Sequence, residues 1–148
     1  MRYDHINIGA RNVEQLANFY EQVFGCCRLS EGARMSGALM ARGMGLQSAE
    51  VHGIWMRLPG HGDEGPFLEL FQYTQPRERP MSFADQFGYN HIAFEVTNVE
   101  AMVDAVIAAG GSRLGEVVDF ESPSDGIITF VFLRDPEDNI IQLVHYPE

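Results

Sequence analysis

Residues 3–14 read Tyr3-Asp4-His5-Ile6-Asn7-Ile8-Gly9-Ala10-Arg11-Asn12-Val13-Glu14, and residues 89–100 read Tyr89-Asn90-His91-Ile92-Ala93-Phe94-Glu95-Val96-Thr97-Asn98-Val99-Glu100. At a constant offset of 86, six of the twelve positions are identical. Unrelated segments of this length would share about one. A repeat on this scale sets the architecture before any single element is assigned. A second echo pairs Glu69-Leu70-Phe71-Gln72-Tyr73 with Gln142-Leu143-Val144-His145-Tyr146 at an offset of 73. The first copy must therefore carry 13 more residues between its anchors (86 − 73), and the Gly- and Met-rich stretch 31–50 is expected to hold them.

Each copy has the same grammar. Tyr3–Gly9 and His91–Val96 alternate like strands. Asn12 and Asn98 then supply N-caps, with Gln15 placed as in a capping box. Val13, Leu16, Ala17, Tyr20, Val23 and Phe24 recur at helical spacing and Gly25 suits the C′ position. Val99, Met102, Val103, Val106 and Ile107 form the matching stripe, ended by Gly110-Gly111. Strands are expected near 26–30, 51–58 and 66–73, and again near 113–119, 126–133 and 139–146, with Asp135–Asn139 as the last turn. The order is βαβββ, twice. The expected fold is α+β: two pseudo-twofold related βαβββ modules forming a cupped mixed sheet around a metal site. The chain reads as one domain, 1–148, with module 1 at about 1–76, a linker at about 77–88 broken by Pro80, and module 2 at about 89–148.

Composition narrows the function. The chain has 148 residues, of which 45% are hydrophobic and 21% charged, a globular balance. Net charge is −11 and every one of the ten basic residues is arginine, with no basic stripe, so nucleic acid is not an expected partner. The absence of lysine excludes Schiff-base catalysis by a side chain. No apolar run approaches the roughly 20 residues of a membrane span, and the start enters a strand pattern at once. A cytoplasmic protein without a signal peptide is the expectation. Adjacent Cys26 and Cys27 suit a reducing compartment and a buried strand.

Residues two apart on a strand share a face. His5 sides with Asn7, opposite Ile6 and Ile8, and His91 sides with Ala93, opposite Ile92 and Phe94. Glu69 lies opposite Leu68 and Leu70, and Gln142 opposite Ile141 and Leu143. If the apolar sides carry the helices, these four polar side chains share the other side. Glu69 is the informative one, because an isolated carboxylate in an apolar strand must be paired, protonated or bound to a metal. Two imidazoles and an amide oxygen nearby favour the metal. His52, His61 and His145 lack repeat partners and read as surface or structural histidines. Phe67, Phe71 and Trp55 could line an apolar substrate pocket beside the metal or belong to the core. The 31–50 stretch, with four glycines and three methionines, is expected to be a mobile cover; its Arg34 and Arg42 read as solvated or as contacts for an anionic tail.

Asp4-His5-Ile6, Asn12-Val13-Glu14, Phe19-Tyr20, Phe24-Gly25 and Asn90–Val96 resemble the module openings of the vicinal oxygen chelate superfamily, notably glyoxalase I and methylmalonyl-CoA epimerase. Asp135-Pro136-Glu137-Asp138-Asn139 resembles its closing motif, usually Asp-Pro-x-Gly-Asn before a strand bearing Glu. The resemblance implies one divalent metal (Zn, Ni, Co, Mn or Fe) held by His5, Glu69, His91 and Gln142, and a homodimer. Glyoxalase I usually has a carboxylate base in the last position, here Gln142. The epimerase reads His, Gln, His, Glu along its chain, and here the order is His5, Glu69, His91, Gln142, the same set with the modules exchanged. The resemblance implies a metal-dependent lyase or isomerase that polarises a carbonyl or thioester substrate and stabilises an enolate or enediolate. Glu69 would be both ligand and base. An extradiol-type dioxygenase with Fe(II), or a non-catalytic small-molecule binding or resistance protein, are the alternatives.

Overall fold

The structure, a computed structural model, describes residues 1–147. It comprises two compact units, Met1–Arg79 and Pro80–Glu148. The first runs β1 (His5–Gly9), α1 (Val13–Phe24), β2 (Cys27–Arg28), β3 (Ala33–Ser36), α2 (Ala38–Gly43), β4 (Glu50–Arg57) and β5 (Phe67–Tyr73). The second runs β6 (His91–Glu95), α3 (Val99–Ala108), β7 (Ser112–Arg113), β8 (Val118–Ser122), β9 (Gly126–Arg134) and β10 (Ile140–His145). Each folds into one five-stranded sheet. The orders are β1-β5-β4-β2, with β3 also on β4, and β6-β10-β9-β7, with β8 also on β9. In both, the first strand runs parallel to the last and the other pairings are antiparallel. The fold is α+β with the βαβββ plan repeated. The second strand of each copy is split, as β2 and β3 and as β7 and β8, where a single strand was expected. In the first unit Gly32, at φ +84°, brings the chain back onto β4; a Cβ there would sit 2.8 Å from the Gly53 carbonyl oxygen.

The helices start and stop where the sequence says they should. Asn12 accepts from the Gln15 amide at 3.1 Å and Asn98 from the Ala101 amide at 3.0 Å. Gly25 closes α1 in the left-handed region at φ 68°. Val13, Leu16, Ala17, Phe19, Tyr20 and Phe24 of α1 are buried, and the helix packs on β4 and β5, whose Ile54, Met56, Leu68 and Leu70 are fully buried. In the second unit Val99, Val103 and Val106 of α3 cover β9 and β10, which bury Val131, Leu133, Ile141 and Leu143. Each such aliphatic side chain contributes about 1.5–3 kcal/mol on burial. Because the apolar alternation is spent on the helix side, His5, Glu69, His91 and Gln142 fall on the other face of their own sheets.

The register corrects the placement of the extra residues. Trp55 pairs with Glu69 and Phe132 with Gln142, an offset of 77 on β4 against β9. Ser36 pairs with Glu50 and Glu121 with Ile127, so the β3–β4 hairpin tip is eight residues longer than its counterpart. Four more residues lie in the β4–β5 connection, since Arg57 pairs with Phe67 and Arg134 with Ile140. Only part of the excess is therefore in 31–50. That stretch is no bare loop: it holds β3 and α2, with Ala41 buried, Leu39 80% exposed, and Arg34 and Arg42 exposed. Cys26 is buried, which pushes its thiol up to about 12, whereas Cys27 is exposed, so the pair is not wholly buried as expected. Among the described residues, no helix is long and apolar enough to cross a membrane.

The turn before β10 shows why its motif has the residues it has. Asp135 is 2% exposed and accepts from the Glu137 and Asn139 amides at 2.8 and 3.0 Å and from Asn139 Nδ2 at 2.7 Å. Arg134 donates to the carbonyls of Asp138 and Ser82. Asp138 has φ 63°, the one non-glycine residue at positive φ among the described residues. It stands where the related motif has glycine. Asp138→Gly is expected to stabilise the fold by about 0.5–1 kcal/mol, since glycine occupies this region without the Cβ clash. A thermal melt should show a midpoint about 2–4 °C higher; a lower midpoint would mean that the Asp138 side chain compensates its own strain.

Candidate functional site

In the first unit, β1 and β5 bring His5 and Glu69 together. Parallel register aligns His5 with Phe67 and Asn7 with Glu69. The His5 Nδ1 nitrogen lies 2.7 Å from Asp4 Oδ2 and must donate to it, because the ionised carboxylate can only accept. That leaves Nε2, 3.4 Å from Glu69 Oε2. This is longer than the usual N–H···O bond of about 2.7–3.2 Å. It matches the spacing of two donor atoms that each sit about 2.0–2.2 Å from one cation at tetrahedral or octahedral angles, about 2.9–3.5 Å. The Phe67 ring stacks on the imidazole at 5.0 Å and 23°.

Glu69 is half-buried and heavily engaged. Trp55 Nε1 donates to Oε1 at 2.9 Å and Asn7 Nδ2 donates to Oε2 at 3.0 Å. Trp55 meets the edge of Phe71, which meets the edge of Tyr73. Burial first, then the Glu69 carboxylate, raise the Tyr73 hydroxyl above its ordinary pKa. The Tyr73 hydroxyl also lies 4.0 Å from Met44 Sδ, at the end of α2. Of the three residues expected to line a pocket, Phe71 is 5% exposed, Phe67 braces His5, and Trp55 binds Glu69.

The second unit repeats this register with different chemistry. Ile140 pairs with His91 and Ala93 with Gln142, as Phe67 pairs with His5 and Asn7 with Glu69. His91 Nδ1 lies 3.1 Å from Asn90 Oδ1, the counterpart of the Asp4 contact, and the imidazole meets Phe132 edge-on at 4.9 Å. Both histidines thus have Nδ1 partnered and Nε2 left over, the usual arrangement of a metal-ligating imidazole. Phe132 faces Gln142 in the position that Trp55 holds beside Glu69. Among the described residues, no group of three or more His, Cys, Asp or Glu side chains could hold a metal ion; His5 and Glu69 approach each other in the first unit, and His91 and Gln142 lie on neighbouring strands of the second. The other histidines play local roles: His145 donates to the Val96 carbonyl, His52 is half-buried near Glu14, and His61 is exposed. Asn7 is the site residue whose part sequence reasoning missed. Its place beside His5 on the strand was visible, but its bond depends on a strand 62 residues away.

The architecture recurs in proteins of known structure. A glyoxalase family protein from Bacillus cereus superposes with a TM-score of 0.84 at 22% identity, over 100% of this chain and 95% of that one. A glyoxalase/bleomycin resistance protein/dioxygenase family enzyme from Burkholderia phytofirmans gives 0.60 at 17% identity, over 97% and 98%. A glyoxalase I mutant from Zea mays gives 0.62 at 18%, over 96% of this chain and 45% of that one. At these identities the likeness shows the fold alone. No curated protein matches the sequence. The family model matches residues 2–143, nearly the whole chain and both copies of the repeat, and the chain belongs to the Glyoxalase/Bleomycin resistance protein/Dioxygenase superfamily.

Proposed function

We propose that this protein is a divalent-metal-dependent lyase or isomerase acting on a small carbonyl or thioester substrate. His5 and Glu69 would hold the cation, and the family resemblance adds His91 and Gln142 to the ligand set. The observation that carries the reading is the 3.4 Å approach of His5 Nε2 to Glu69 Oε2 with Nδ1 already tied to Asp4. A neutral imidazole with its proton on Nδ1 would turn its Nε2 lone pair toward this carboxylate, an arrangement that a bound cation would make favourable. The donor set of two imidazoles, one carboxylate and one amide suits Zn²⁺, Ni²⁺, Co²⁺, Mn²⁺ or Fe²⁺. Bound there, the ion supplies Lewis acidity toward a substrate carbonyl. Glu69 divides its labour by atom. Oε2 faces His5 and belongs to the ligand set, while Oε1, which accepts one bond from Trp55, keeps a lone pair for the proton next to the substrate carbonyl. The aromatic flank of Phe71 and Tyr73 limits water beside that atom. A homodimeric assembly belongs to the same reading and is supported by family membership.

Metal content tests it directly. Protein purified without added metal, then dialysed against Zn²⁺ or Ni²⁺, should retain about one ion per chain by elemental analysis. In D₂O it should exchange the proton next to the carbonyl of a hemithioacetal or acyl thioester. Retention of no metal would remove the basis of the proposal, and stoichiometric binding without exchange would point to a binding protein instead.

A further inference from the structure

We propose that Trp55 and Asn7 are positioning residues that fix the plane of Glu69 for its role at the metal. The inference rests on the metal reading above and adds the residues that set the geometry of its one anionic ligand.

The repeat provides an internal control. Both modules build the same register around the same position: Asn7 and Trp55 flank Glu69, and Ala93 and Phe132 flank Gln142. The fold therefore forms this strand triplet without a donor on either side. Donors occur only where the central residue is a carboxylate, and there they occur on both sides, one to each oxygen. Phe132 and Ala93 offer neutral Gln142 nothing comparable. The donors thus serve the carboxylate and not the sheet.

The indole is itself held in place. Gly53 precedes it by two on the same strand and face, and a Cβ at Gly53 would lie 2.9 Å from both Trp55 Cη2 and Phe71 Cε1. The bare glycine lets the indole and the Phe71 ring close over that position, and their edge-to-face contact leaves the Nε1–H aimed at Glu69. A half-buried, charge-assisted bond of this kind restricts the carboxylate more than a water contact would. With one donor on each oxygen, Glu69 cannot turn without losing both bonds.

Trp55 is also the single tryptophan of the chain, so the protein's tryptophan emission reports on this indole and its surroundings alone. Three variants test the proposal: Trp55→Phe and Asn7→Ala, which install what the second module already has, and Asn7→Ser, which returns a donor. Zn²⁺ affinity, measured by competition with a chromophoric chelator, is expected to fall about 10–100-fold in each of the first two and further in the double variant. Asn7→Ser should recover part of the loss, and far-UV circular dichroism should be unchanged throughout. Separately, Glu69→Ala in metal-free protein should shift Trp55 emission, since it removes the acceptor of the indole N–H. Unaltered protein that binds Zn²⁺ while the double variant binds it equally well would overturn this inference and leave the metal reading standing. Unaltered protein that binds no Zn²⁺ would overturn the metal reading and this inference with it. Emission that ignores Glu69→Ala would remove the hydrogen bond on which the inference stands.

Discussion

Glu69→Gln is expected to weaken Zn²⁺ binding by about 100-fold or more and to abolish turnover. Glu69 is the only anion among the four proposed ligands, so the change takes one full charge from the cation's surroundings. Loss of a merely supporting partner costs about 10–100-fold, and loss of a charged ligand should cost at least the upper end of that range. The near-identical shape of glutamine keeps the test clean. Its Oε1 can still accept from Trp55, so the sheet and its register should persist. Calorimetric titration with Zn²⁺ and solvent-exchange kinetics read the two effects separately. Undiminished affinity would mean that Glu69 is no ligand. Undiminished turnover would mean that it is not the group that takes the proton.

Leu143→Ala is expected to destabilise the second module by about 2–5 kcal/mol. Leu143 is fully buried on β10, the strand that pairs with both β6 and β9, and it faces Phe94 and Val131 in register. Truncation leaves a cavity beneath α3 that the paired strands cannot collapse to fill. Urea unfolding offers two probes of different reach. Circular dichroism follows both modules, while Trp55 lies in the first. A midpoint shift seen equally by both would show that the modules unfold as one cooperative unit. A shift confined to circular dichroism would show that the first module stands alone. A shift corresponding to less than about 1 kcal/mol by both would contradict the packing described here.

Much of this was legible because the sequence carries each instruction twice. Asn12 and Asn98 cap their helices as their spacing implied, and Gly25 ends α1 in the left-handed region. The alternation of Ile6 and Ile8 against His5 fixed which side the histidine takes, since period two leaves no other choice. The boundaries of the second strand were not legible. Two-residue strands such as β2 and β7 have no periodicity to detect. Nor was the distribution of the extra residues, because two anchors constrain only their sum. The Trp55–Glu69 bond was hidden for a related reason. It depends on the register across the β4–β5 connection, and nothing within β4 marks Trp55 as facing a carboxylate rather than a pocket. The sequence places two imidazoles and the Gln142 amide as companions of Glu69, whereas two of the three neighbours it has within its own unit are the uncharged donors Trp55 and Asn7.

The pairing of first strand with last also shapes how the protein is made. In the first module Asn7 meets Glu69 at a sequence separation of 62, and in the second His91 aligns with Ile140 at a separation of 49. During synthesis β1 leaves the ribosome with no partner on either side, and α1 follows before the strand it must cover exists. Neither β4 nor β2 can substitute, because both lie beyond β5 in the sheet. Closure must wait for β5, and such non-local parallel pairing is among the slower events in folding. Until then the backbone of β1 is an open template for other nascent chains. At elongation rates of about 5–20 residues per second that interval lasts several seconds, and in it the polar side chains of His5 and Asn7 on the strand, with the charged Asp4 just before it, work against such pairing.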